Sequence, residues 1–146
     1  MRICQVKIEG FRGIKSATIP IPPNGALIGP NNCGKTSIIE ALALVLGKDR
    51  VLPPLTDYDF FGGNPGSTTR FTITVTVCGF GSKDNDPTHF PSWFNTERGG
   101  RPVWWNESSG DLSQALDCPP GFELAVQIGA CGRYDDEECE FEIRRF

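Results

Sequence analysis

Apolar and polar side chains alternate along much of the chain, and the places where the period changes outline its elements. Residues 3–9 set Cys4, Val6 and Ile8 on one side and Gln5, Lys7 and Glu9 on the other, the two-residue period of a half-buried strand. Gly10-Phe11-Arg12-Gly13 breaks that pattern. A second strand with Ala17, Ile19 and Ile21 inward carries Pro20, which lacks an N–H for a ladder and so belongs at a sheet edge. After the turn Pro22-Pro23-Asn24-Gly25, Ala26-Leu27-Ile28 reads as a short apolar strand running straight into Gly29. From Gly34 to Leu46 apolar residues fall on almost every face, and Glu40 is the only charge after Lys35. That pattern predicts a helix buried on all sides, with Gly47 as its C-terminal cap and Lys48 and Arg50 at the negative end of its dipole.

The remainder is rich in strand patterns. Residues 53–66 are turn-forming and include Asp57-Tyr58-Asp59-Phe60-Phe61-Gly62-Gly63. Between Phe71 and Phe80, Phe71, Ile73, Val75 and Val77 face one way and Thr72, Thr74, Thr76 and Cys78 the other, which predicts a strand. Residues 81–121 show no sustained period and read as a long loop with one short strand near Val103–Trp105. Leu124, Val126 and Ile128, then Cys139, Phe141 and Ile143, mark two more strands joined by a hairpin turn at Asp135–Glu138. The expected class is α/β, a P-loop NTPase fold with strands around a buried helix in residues 1–52 and an antiparallel β lobe in residues 67–146.

Between the third predicted strand and the helix lies Gly29-Pro30-Asn31-Asn32-Cys33-Gly34-Lys35-Thr36, followed by Ser37. It satisfies every defined position of the Walker A phosphate-binding loop. Glycines let backbone amides curl around phosphates, a lysine here reaches the β and γ oxygens, and the threonine hydroxyl ligates magnesium. The helix beginning at this point turns its positive end toward the anion. The loop therefore predicts an ATP site built from Asn31, Asn32, Cys33, Gly34, Lys35, Thr36 and Ser37, with Mg2+ on Thr36. A chance match in a chain of 146 residues is on the order of one per cent, and the strand-loop-helix setting lowers it further.

Composition bounds the rest. A length of 146 residues is about one domain, and 38% apolar with 22% charged residues is ordinary for a globular protein. The longest apolar stretch, Ala41–Leu46, is too short to cross a bilayer, and no secretory leader pattern opens the chain, so a cytoplasmic location is expected. A net charge of -4 opposes a nucleic-acid surface formed by the chain as a whole, so any DNA contact requires a local patch or another segment. Six cysteines, at 4, 33, 78, 118, 131 and 139, include no Cys-x-x-Cys pair, and a disulfide framework or zinc knuckle fits them poorly. The acidic run Asp135-Asp136-Glu137-Glu138 reads as a solvated hairpin tip, and lone His89 has no partners at ligand spacing. Trp93, Trp104 and Trp105 read as core aromatics rather than base-stacking platforms, and Lys7, Arg12 and Lys15 as ordinary surface charge.

The opening fifty residues, from Met1-Arg2-Ile3 through Phe11-Arg12 to Gly34-Lys35-Thr36-Ser37-Ile38-Ile39-Glu40-Ala41-Leu42, resemble the start of the ABC-type ATPase heads of the RecF, SMC and OLD group. The nearest likeness is to OLD-family ATP-dependent nucleases, linked to phage defence and DNA repair. The resemblance implies that Arg12, in the Phe-Arg element, contacts the phosphates, and that two heads close on the nucleotide as a head-to-head homodimer. It also implies a connection ending in an Asp-Phe segment, matched by Tyr58-Asp59-Phe60-Phe61, and then an antiparallel lobe.

Complete heads of that group carry a Gln loop, a Leu-Ser-Gly-Gly-like signature and an apolar Walker B strand ending in Asp-Glu. None stands in this sequence: Ser108-Ser109-Gly110-Asp111 has no acidic-ended apolar run after it, and Asp135-Asp136 follows Gly-Arg-Tyr. The expectation is an N-terminal ATP-binding lobe that needs a C-terminal lobe for hydrolysis and acts in DNA transactions. Two alternatives are a non-catalytic nucleotide-binding or regulatory module, supported by the missing Walker B acid, and a small-molecule P-loop kinase, which the β-rich remainder disfavours.

Overall fold

The computed structural model describes residues 1–47, 54–80, 103–115, 117–135, 137–138 and 140–146. Lys48, Arg50, His89, Trp93, Asp136 and Cys139, and most of the expected long loop, lie outside the described residues. In chain order the elements are β1 (Arg2–Phe11), β2 (Ile14–Pro20), α1 (Lys35–Leu46), a 3-10 turn (Asp57–Asp59), β3 (Arg70–Cys78), β4 (Val103–Asn106), β5 (Asp111–Ser113), β6 (Glu123–Asp135) and β7 (Glu140–Arg145).

The strands form one antiparallel sheet in the order β2-β1-β3-β6-β4-β5, with β7 also pairing with β6. β6 is 13 residues long and serves two neighbours on one side: its start pairs with β4 and its end with β7. Pro20 lies opposite Gln5 on the edge strand β2, as the missing N–H requires. β3 has its expected faces, with Phe71, Ile73, Val75 and Val77 buried against the helix side. At its far end Thr76 and Cys78 are buried too.

The sheet has a core on each face. On the helix side, Val6, Ile8, Phe11, Phe60, Phe71, Ile73, Val75 and Ala130 pack with Ala41, Leu44 and Val45 of α1. Phe71 sits between Phe11 and Phe60 at ring-centroid distances of 5.0 and 5.3 Å. The opposite face holds a smaller core of Cys4, Cys78, Val103, Trp105 and Ala125. Trp104 is buried, with its indole N–H donating to the Ala115 carbonyl at 2.9 Å.

Four sequence expectations change. Cys4 does not share a side with Val6 and Ile8, because a bulge between Ile3 and Gln5 opposes both Cys4 and Gln5 to the β3 stretch at Thr76–Val77. The extra residue shifts the alternation by one and carries Cys4 to the second face, where it forms a disulfide with Cys78 across a Cα–Cα distance of 6.3 Å. One cysteine pair is thus joined where none was expected. Ala26–Ile28 forms no strand: it has no ladder partner among the described residues, and Ile28 is 92% exposed. Finally, α1 is buried on one side only. Ala41, Leu44 and Val45 face the sheet, while Ile39, Ala43 and Leu46 face outward at helical spacing.

Glycines explain how β6 runs past Ile128. A side chain at Gly132 would meet the Phe71 ring at 2.2 Å, and one at Gly129 would meet the Phe146 ring at 2.4 Å, so aromatic rings cover the backbone where side chains are missing. The hairpin tip is closed by Asp135, whose Oδ1 accepts from the Glu137 amide at 3.0 Å.

Candidate functional site

The loop from Gly29 to Gly34 needs backbone conformations that few residues adopt. Asn32 has φ 63° and Gly34 has φ 92°, and Asn and Gly are the residues that enter the left-handed region at least cost. Gly34 is the N-cap of α1 and supplies no side-chain cap, and the first turn holds no acidic residue. The first amides of the helix are therefore left for another acceptor. At the other end the Gly47 amide donates to Ala43 at 2.7 Å. Arg145 of β7 donates from Nε to the Leu44 carbonyl at 3.0 Å, a cation at the negative end of the dipole that comes from across the fold.

Asn31, Asn32, Cys33, Gly34, Lys35, Thr36 and Ser37 line one cavity of about 720 Å3, together with Gly13 and Ile14 from the β1–β2 turn. Among the described residues no carboxylate lines it. The Lys35 ammonium folds onto its own loop, donating to the Gly29 and Pro30 carbonyls at 2.6 Å each and lying 3.6 Å from Cys33 Sγ. The cavity thus offers helix amides, an ammonium and two hydroxyls to an anion, with no opposing negative side chain.

Arg12 lies beside this cavity, next to Gly13, in a left-handed conformation with φ 50°. Its guanidinium donates from Nε to Asp59 Oδ1 at 2.8 Å and from Nη1 to Glu40 Oε2. Asp59 is buried and doubly fixed, since its Oδ2 accepts from the Thr56 amide at 2.9 Å and the Thr56 hydroxyl at 3.2 Å. Backbone bonds complete the join: the Arg12 amide donates to the Asp59 carbonyl at 3.0 Å and the Phe61 amide to the Gly10 carbonyl at 2.8 Å. The segment 56–61 is thereby stitched to the β1–β2 turn, and Arg12 bridges it to α1.

The sequence points to residues 31–37 of the loop and, through the family resemblance, to Arg12, but not to Gly13, Ile14, Glu40 or Asp59 as neighbours of the site. Two signals were available: Glu40 is the lone charge in an otherwise apolar helix, and Asp59 sits in the Asp-Phe segment. Neither reveals its partner, because Arg12 is 28 residues from one and 47 from the other.

The AAA ATPase domain family matches residues 1–89. The chain belongs to that family. This ATPase domain is also 36% identical over 75 residues to the OLD nuclease of Thermus scotoductus, covering 49% of the chain and 13% of that protein. It is 44% identical over 50 residues to the chromosome partition protein Smc of Bordetella petrii, covering 33% of the chain and 4% of that protein. The ATPase domain is an OLD- and SMC-like, ABC-type N-terminal region, and it spans 13% or less of the length of these two relatives. Among the described residues no helix is long and apolar enough to cross a membrane.

Proposed function

We propose that the chain is the ATP-binding lobe of an ABC-type ATPase acting in DNA transactions such as repair or phage defence. One observation carries the reading: the open, uncapped start of α1, Lys35 and the Thr36 and Ser37 residues converge on a cavity that no carboxylate lines. A triphosphate fits such a donor set. Backbone amides and Lys35 would hold the β- and γ-phosphates, with Asn31, Asn32, Cys33 and Gly34 forming the cradle and Arg12 adding charge from the side. Magnesium commonly takes one or two protein oxygens and completes its shell from phosphates and water; here Thr36 would supply the protein oxygen. Bound there, the ion would neutralise phosphate charge.

Among the described residues the same cavity has no acidic side chain that could orient water, which supports a lobe that binds nucleotide and needs a second lobe to hydrolyse it. Two surfaces support the same partner. Ile28, at the start of the loop, is 92% exposed, and Ile39 and Leu46 are exposed on the outer side of α1, where burial of large apolar side chains by another segment is worth roughly 1.5–3 kcal/mol each. A C-terminal ATPase lobe, from the same or another chain, would cover them, and a head-to-head homodimer would close on the nucleotide. DNA would be engaged through that full assembly. The missing carboxylate equally favours a regulatory module that senses ATP without hydrolysing it.

Calorimetric titration with ATP, with and without magnesium, tests the site. Binding strengthened by magnesium in the wild-type chain and no longer so in Thr36→Ala is the expected result. Full magnesium stimulation in Thr36→Ala would remove Thr36 as a ligand, and absence of ATP binding would sink the reading.

A further inference from the structure

Arg12 is held by two carboxylates of unequal character. The Asp59 side chain is 8% exposed and keeps its second oxygen on Thr56, whereas the Glu40 side chain is 37% exposed and is bound to Arg12 through Nη1. Asp59 is therefore anchored in the 56–61 segment, and Glu40 is the partner that can let go. Glu40 also stands on the helix that the loop leads into. It lies on α1 four residues after Thr36, about 6 Å along the helix axis, while the Arg12 side approaches the loop through Ile14, whose Cδ1 would lie 3.8 Å from a Cβ at Gly34. The three charges sum to one negative charge beside a cavity otherwise suited to an anion.

We infer that Glu40 is a built-in competitor of the phosphates: it occupies Arg12 Nη1 until a polyphosphate takes that nitrogen, while Asp59 holds Nε and keeps the guanidinium in place. This rests on the reading of the Gly29–Thr36 loop as a nucleotide site. The arrangement makes nucleotide binding an exchange of one ion-pair partner for another at Arg12. It also carries news of binding outward, because Glu40 once released no longer ties α1 to the β1–β2 turn and, through Arg12, to segment 56–61. Asp59 and Glu40 act through Arg12 and are positioning residues.

The experiment is a titration of the chain with a non-hydrolysable ATP analogue, comparing wild type, Glu40→Gln, Arg12→Ala, the Arg12→Ala/Glu40→Gln double variant and Lys35→Ala. Removing a part-exposed competitor ion pair is expected to tighten binding about two- to five-fold in Glu40→Gln, and the gain is expected to vanish in the Arg12→Ala background. Unchanged or weaker binding by Glu40→Gln overturns the inference, as does an equal gain without Arg12, which would make Glu40 a plain repelling charge. If Glu40→Gln lowers the melting temperature, Glu40→Asp, which draws the carboxylate back by one methylene, is expected to give a gain of the same sign. A wild-type chain that binds no analogue, or a Lys35→Ala chain that binds it equally well, instead defeats the nucleotide reading beneath the inference.

Discussion

Lys35 Nζ is bonded to the carbonyl oxygen of Gly29 at 2.6 Å. With the Pro30 carbonyl at the same distance, the ammonium fastens the two ends of its own loop. A nucleotide would have to draw it away, exchanging neutral carbonyl acceptors for charged phosphate oxygens. Lys35→Ala is accordingly expected to weaken ATP binding by roughly 1.5–3 kcal/mol, the worth of charge-assisted hydrogen bonds, less what the freed loop carbonyls recover from water. Calorimetry checks this, and unchanged affinity would mean that Lys35 serves the loop alone.

Among the described residues, the cavity lined by residues 31–37, Gly13 and Ile14 contains no carboxylate. Phosphoryl transfer to water requires a group that orients the nucleophile and charge stabilisation on the γ-phosphate. The chain alone is expected to release phosphate at a negligible rate at saturating magnesium-ATP, at every protein concentration, and to gain activity when a C-terminal lobe is supplied. Robust turnover by the chain that Lys35→Ala abolishes would point to an overlooked acid. Asp57 and Asp135 would be the first to test, since Asp59 is committed to Arg12 and Thr56.

Cys33 and Cys118 are both exposed and free, and only Cys33 lies in the loop. With ATP present, maleimide labelling of Cys33 is expected to slow while that of Cys118, bonded to the Phe122 carbonyl, keeps its rate. Mass spectrometry of labelled peptides distinguishes the two. Labelling of Cys33 that ignores nucleotide would place the phosphates elsewhere.

The Cys4–Cys78 disulfide spans 74 residues, a loop whose closure in the unfolded chain corresponds to roughly 4 kcal/mol on the chain-entropy account. Reduction, or Cys4→Ser with Cys78→Ser, is expected to lower the melting temperature by roughly 10–20 °C without changing ATP affinity, because the bond lies on the face opposite α1. An unaltered melting temperature after verified reduction would show that the sheet does not rely on it.

Much of this was legible in the sequence because the signals were local. The alternation from Phe71 to Val77, the edge proline at 20, the short strand at 103–105 and the acidic hairpin tip each depend on neighbours a few residues apart. The loop from Gly29 to Thr36 is a local signal too, and its residues 31–36 line one cavity. Failures came where distant contacts decide. The alternation through Cys4 is broken by a bulge whose purpose lies at Cys78. The alternation at Leu124, Val126 and Ile128 does not tell how the strand runs on through Gly129 and Gly132, whose backbone the Phe146 and Phe71 rings cover. An apolar helix predicts burial but not what buries it, and at Ile39 and Leu46 nothing described does. The Arg12–Glu40–Asp59 arrangement joins three segments that only the fold brings together.

The bulge at Cys4 means that β1 is measured in residues as well as in composition. Ile3 packs with the helix-side core, Cys4 with Trp105 on the reverse, and Val6 with the helix side again. Losing the bulge while keeping every residue would set Cys4 opposite Val77 and Ile3 opposite Cys78, and so turn the first three residues inside out. Ile3 would leave its core, and Arg2 would leave Glu107 and Glu123, its partners at 2.9 and 3.3 Å. The start of this protein therefore depends on one surplus residue being set aside: loss of Gln5 would leave Ile3 opposite Val77 on its own face, whereas pulling the bulge flat would not.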